Sequence, residues 1–83
     1  MANDKANYVG KIPVFDIYCA AYLEFNNIPS ELILQGTRVI FEFPAKDRVY
    51  EMLREYQGNP SISLLDYINI LRRLRSRMLS KRG

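Results

Sequence analysis

Four prolines, Pro13, Pro29, Pro44 and Pro60, constrain this chain more than any other residues it carries. Proline has no backbone N–H and a locked φ, so it does not belong inside a helix or a central strand. Each of the four therefore marks where an element begins or stops. The stretches between them are short, and their apolar spacing says what each one forms.

After Pro13, the residues Phe15, Tyr18, Cys19, Tyr22 and Phe25 recur at steps of three and four, which predicts a helix over 15–25. Asp16, or a residue just before it, is placed to cap its start. Asn26-Asn27 can end it, because asparagine tolerates the left-handed conformation, and Pro29 stops any continuation. Glu31 to Gln35 is a short apolar run. Gly36-Thr37 follows, then Arg38 to Phe43, rich in β-branched and aromatic residues. Two such runs around a tight Gly-containing connection predict an antiparallel hairpin. Val39, Phe41 and Phe43 share one face, which packs on helices. Arg38, Ile40 and Glu42 share the other, which is mixed and partly wet.

Pro44 ends that strand. Asp47 to Tyr56 reads as a second helix with Val49, Met52, Leu53 and Tyr56 as its stripe, and Gln57-Gly58-Asn59-Pro60 is its stop. Ser61-Ile62-Ser63 is a short strand or a cap. Ser63 with Asp66 is close to a capping box. The last helix runs from Leu64 toward Leu79, with Leu64, Tyr67, Ile68, Leu71, Leu74 and Met78 inward. Residues 1–12 show no periodicity and are expected to be a flexible arm. Residues 13–80 form one domain, and 81–83 are a basic tail. The fold class expected is α+β: a small single domain ordered helix, β-hairpin, helix, helix.

The chain has 83 residues, with 48% hydrophobic and 25% charged, which suits one globular domain. It has one cysteine and no histidine. Those counts exclude a disulfide framework, zinc sites built from Cys and His, and Ser-His-Asp or Cys-His catalysis. The glycines at 10, 36, 58 and 83 make no phosphate-cradling loop. The acid pairs Glu51/Glu55 and Asp47/Glu51 read as a solvated helix face. The ten aromatics (six Tyr, four Phe) fall mostly on apolar stripes, so core packing accounts for them better than a base-stacking platform. The expectation is a protein that is not an enzyme and takes no cofactor or metal. With no apolar stretch at residues 1–7, no long apolar run and no lipidation signal at either end, it is expected to be cytoplasmic, with no membrane contact. Cys19 is then a reduced core residue.

Charge is uneven. The formal net charge is +3. Residues 1–71 hold six basic and nine acidic groups, net −3, while residues 72–83 hold Arg72, Arg73, Arg75, Arg77, Lys81 and Arg82, net +6. On a helical wheel the arginines surround the axis and form no single stripe. A solvated helix end matched to its own dipole explains them, and so does a surface for an anionic partner. These six are the candidate anionic-partner residues. Arg72/Arg75 and Arg73/Arg77 are like-charge neighbours with no acid beyond Asp66 to relieve them, so relief must come from Glu24, Glu42, Glu51, Glu55, solvent or a partner.

Two resemblances bear on this. The order strand, helix, turn, helix over Arg38 to Met78, with Phe43-Pro44 before one helix and Gly58 before a Ser-capped one, looks like the ribbon-helix-helix DNA-binding fold. There, strands from two subunits pair and enter the major groove. The outward set here would be Arg38, Ile40 and Glu42; Glu42 repels phosphate and Ile40 offers little to a base edge. A longer likeness spans about residues 15–80. It rests on Asp16-Ile17-Tyr18-Cys19-Ala20-Ala21-Tyr22-Leu23, on Gly36, Val39, Phe41 and Phe43, on Tyr56 and Gly58, and on Leu71, Leu74 and Arg75. In these the chain is similar to a domain-of-unknown-function family of short, uncharacterised bacterial and phage-borne proteins. Members usually carry Gly after the first helix, where this chain has Asn27. The resemblance implies the helix–hairpin–helix–helix domain and a mobile-element origin, with no activity to carry over.

The function expected is a non-catalytic interaction module with a protein partner. It is expected as a homodimer, because a two-stranded hairpin is marginal alone and gains from a second copy. The alternative is a nucleic-acid binder using the basic C-terminal helix.

Overall fold

The computed structural model describes residues 10–82. In chain order the elements are β1 (Lys11–Val14), α1 (Ile17–Phe25), β2 (Glu31–Gln35), β3 (Arg38–Pro44), α2 (Asp47–Gln57) and α3 (Leu64–Arg82). The expected helix, hairpin, helix, helix is there as α1, β2–β3, α2 and α3. One strand precedes it. Of the arm expected over 1–12, Lys11 and Ile12 belong to β1; residues 1–9, Tyr8 among them, lie outside the described residues, as does Gly83. Lys81 and Arg82 are not a tail but the last turn of α3. Residues 61–63 are neither helix nor strand.

β1 pairs antiparallel with β3, Ile12 opposite Phe43 and Val14 opposite Phe41, so the sheet runs β1-β3-β2. The Ala45 N–H donates to the Gly10 carbonyl at 3.2 Å, which sets the ladder's phase. Gly10, Ile12 and Val14 face β3, and Pro13 turns its missing N–H to the free edge, where a sheet tolerates proline. Pro13 thus sits inside an edge strand and does not introduce the helix. This third strand enlarges the ribbon within one chain, so a second subunit is not required for that purpose. It also leaves β3 with both edges taken, whereas the ribbon-helix-helix fold needs that strand free to pair across a dimer.

The sheet buries one face under α1 and α3, and α2 packs on α1. α1 packs on α2, α3 and β1, and α3 on β2 and β3. Phe41, Phe43, Leu23 and Leu74 are fully buried between the layers, with Val49 and Met52 from α2. Ala20 and Ala21 have no exposed surface, because α1 is wedged between neighbours and needs small residues on its close faces. The outer face carries Lys11, Pro13, Glu31, Ile33, Arg38, Ile40 and Glu42. Glu31 stands directly opposite Glu42, an unfavourable pair; Lys11 lies 3.7 Å from Glu31 and offsets it. Ile40 is buried even on this side, beside Ile33 on the neighbouring strand.

Asp16 caps α1, its Oδ1 accepting from the Tyr18 N–H at 2.9 Å. The other end closes as a Schellman motif: the Asn27 N–H donates to the Glu24 carbonyl and the Ile28 N–H to the Leu23 carbonyl. Asn27 holds φ 65° there, and Ile28 buries its side chain. Asn59 repeats the conformation after α2, at φ 59°. Asn27→Ala is expected to lower stability by about 1 kcal/mol, because a Cβ without an amide to bond locally is strained in this region. Asn27→Gly should be neutral or stabilising. Paired urea melts check both.

Among the described residues, no helix is long and apolar enough to cross a membrane.

Candidate interaction surface

The six candidate cations do not act together. Arg77 is a structural pin. Its Nη1 lies 2.9 Å from Glu24 Oε2, and its Nη2 donates to the Ser30 carbonyl at 3.2 Å. Glu24 Oε2 also accepts from the Ser30 hydroxyl and N–H. That ring of contacts ties the end of α1, the turn before β2 and the middle of α3 together. Of the four acids expected to relieve the arginines, Glu24 is the one that does so directly. Among the described residues the other five cations make no ion pair. Arg72 and Arg73 line a hollow with Asp66, Asn69 and Ile70.

The remaining cations gather at one end of the molecule, where α1 begins, α3 ends and the β2–β3 turn projects. Arg75 stands 6.0 Å from the centre of the Tyr18 ring and donates to its hydroxyl at 3.3 Å. Ile17, Met78 and Leu79 form an apolar hollow of about 220 Å³ with Arg75 and Arg82 in its wall. Arg82 also lines a second hollow with Leu34, Gly36 and Thr37 at the hairpin turn, so it borders both. Next in the chain, Arg38 lies over the Phe15 ring, 4.7 Å from its centre.

Two of these residues depart from the apolar stripe expected of the first helix. Phe15 and Tyr18 were read as helix core, yet they are 54% and 48% exposed. Phe15 precedes the Asp16 cap, so it lies outside the helix whose stripe it seemed to start. Tyr18 is covered only in part, by Arg75 of α3. Leu79 is 68% exposed although apolar, and its absence from the stripe of α3 was the one sequence signal pointing outward. Leu64, placed in that stripe, is exposed as well, because the helix begins one turn before it reaches the core.

The acid nearest this end, Asp16, is committed internally. Its Oδ1 holds the α1 cap and its Oδ2 accepts from the Tyr56 hydroxyl at 3.3 Å. The surface combines aromatic and aliphatic groups with guanidinium groups that, among the described residues, make no ion pair, a mixture enriched at binding interfaces.

A second hollow, about 440 Å³, lies between Tyr22, Tyr56 and Tyr67. Their hydroxyls are spent on Glu55 (3.0 Å), Asp16 and the Tyr18 carbonyl (2.7 Å). Burial, with the nearby Asp16 carboxylate, pushes Tyr56 up to about 12. Burial raises Tyr22 and Tyr67 too, aided by Glu55 and Asp16 respectively. These phenols stay protonated near neutral pH. Cys19, beneath them, is raised by burial and then by Asp16 to about 11. Among the described residues, no cluster of three acids or thiols could hold a metal ion.

The sign of the pH effect follows. In the unfolded chain the thiol ionises near 9.0 and a phenol near 10.0, before their folded counterparts do. The unfolded state thus loses protons first, and stability falls as pH rises from 9.0 toward 12. Urea midpoints measured on either side of that window should drop on the alkaline side. Thiol alkylation at about pH 8 should be slower in the native protein than in urea, because the raised pKa leaves about 100-fold less thiolate at that pH.

Comparison with protein-family models, with curated proteins and with solved structures finds no match for this chain.

Proposed function

We propose that this chain is a non-catalytic interaction module that binds an anionic protein partner at the end formed by the start of α1, the β2–β3 turn and the C-terminal turns of α3. One observation carries the reading: an apolar hollow of Ile17, Met78 and Leu79 has Arg75 and Arg82 in its wall, and among the described residues neither cation makes an ion pair. Apolar contact there supplies affinity, and the cations select an acidic partner and speed its approach. Of the six residues read as anionic-partner candidates, Arg75, Lys81 and Arg82 do this work. Arg77 holds the fold. Arg72 and Arg73 extend the positive field along α3.

The rival, a nucleic-acid binder, draws on the same cations, with Phe15 and Tyr18 as stacking surfaces. Each of those rings already carries an arginine of its own chain, which favours the protein partner. Titration of the full chain with a polyglutamate peptide, duplex DNA and single-stranded DNA at low and high salt separates the two. We expect the peptide to bind at low salt and to weaken about 10-fold in Arg75→Gln/Arg82→Gln, a loss of about 1.4 kcal/mol. DNA binding tighter than peptide binding, with a steeper salt slope, would reverse the assignment.

A further inference from the structure

The sheet has two edges, and they are not equivalent. On β1 the outward positions are Lys11 and Pro13, a cation and a residue with no N–H to offer, which blunt that edge. On β2 the phase runs the other way. Gly36-Thr37 is a two-residue turn, so Gln35 and Arg38 close the hairpin and Ile33 and Glu31 also bond to β3. Leu32 and Leu34 then direct their N–H and C=O groups away from the sheet. Among the described residues, no hydrogen-bond partner meets them there. β2 carries no proline, no lysine and no bulge across its five residues, ELILQ.

That edge also has a wall beside it. Ser30, Glu31 and Leu32 face Ser76, Arg77 and Ser80 of α3 across a groove of about 590 Å³, with Lys81 at its end. The serines are small and one helical turn apart, which leaves room for a chain. Leu34 is 42% exposed and lines, with Arg82, the hollow further along the same strand.

We propose that β2 accepts an extended acidic segment of a partner protein as a fourth strand, lying between β2 and α3. The proposal rests on the reading above of an anionic protein partner and names how it docks. An added strand takes up the free main-chain groups of Leu32 and Leu34 and sends alternate side chains to either face. On the helix side they meet Leu34, Lys81 and Arg82; on the other they meet Ile33. Charge chooses among occupants. Arg77 is paired with Glu24, whereas among the described residues Lys81 and Arg82 make no ion pair. A second copy pairing through β2 would bring its own Lys81 and Arg82 to the same groove, whereas an acidic strand neutralises them. Nucleic acid has no regular row of amide donors and acceptors to match the strand.

The test uses the full chain, labelled with nitrogen-15, and an octapeptide alternating glutamate and valine. We expect amide exchange at Leu32 and Leu34 to slow at least 10-fold at saturation, with Lys11 on the far edge unchanged. A lysine–valine octapeptide should not bind. Leu34→Pro should weaken the glutamate–valine peptide at least 10-fold; the sheet already carries proline at the equivalent outward position of β1. Should that variant unfold, exchange in the unaltered chain still decides. Peptide binding that leaves Leu32 and Leu34 exchanging freely would overturn strand addition while leaving the anionic-partner reading intact. Concentration-dependent protection of both amides without peptide, with a doubled mass, would give the edge to a second copy. Single-stranded DNA protecting them more tightly than the peptide would give it to nucleic acid. No binding of the peptide at low salt would overturn both readings.

Discussion

Phe41→Ala should lower the unfolding free energy by about 3–5 kcal/mol, the usual cost of emptying a phenylalanine site in a core. Phe41 has no exposed surface and lies on the central strand, opposite Val14 on one side and Leu32 on the other. No surface loop can collapse into the space it leaves. A domain of this size is stable by roughly 4–12 kcal/mol, so the variant sits near the edge of folding. A urea melt against the parent chain measures it. A loss below about 1 kcal/mol would mean that the side chain is not enclosed between sheet and helices.

Val14→Asp should cost a comparable amount, about 3–5 kcal/mol, because it buries a carboxylate with no cation within the core to pair with it. Ile12→Asp, at a half-buried position opposite Phe43, should cost about 1–3 kcal/mol. The second substitution is the more diagnostic. On the reading of residues 1–12 as a loose arm it would do nothing, since an exposed arm accepts an acid freely. Because Ile12 pairs with the central strand and packs on the core, it should shift the melt. Circular dichroism through the melt would show whether strand and helix signals are lost together, as one cooperative unit requires.

These two experiments bracket what was readable in advance. The stripe Val49-Met52-Leu53-Tyr56 was legible because a helix repeats its apolar spacing over several turns; of the stripe expected on α3, Tyr67, Leu71, Leu74 and Met78 join the core, Leu64 and Ile68 do not, and Ile70 does instead. The hairpin was legible because Gly36 and β-branched runs are local signals, and the two faces of β3 follow from alternation alone. β1 was not legible. Lys11 to Val14 is too short to show alternation, and Pro13 speaks against a strand unless the direction of its missing N–H is known. That direction depends on the phase of pairing with β3, which lies far along the chain. The basic end was half legible. Its cations stood out by composition, but the division of labour among them did not. Arg77 and Arg75 are two residues apart on one helix, yet one is pinned by Glu24 and the other lies against Tyr18.

Local chemistry by itself therefore determined the helices, the caps of α1, the tight turn and the α+β class, because propensity, periodicity and turn residues act over a few neighbours. Tertiary structure alone decided that a third strand completes the sheet and that Phe15 and Tyr18 face out. It also decided that Arg77 supports the fold while Arg75 and Arg82 stay available. Those outcomes depend on which distant side chain arrives within hydrogen-bond or ion-pair reach, and no window along the chain contains both partners.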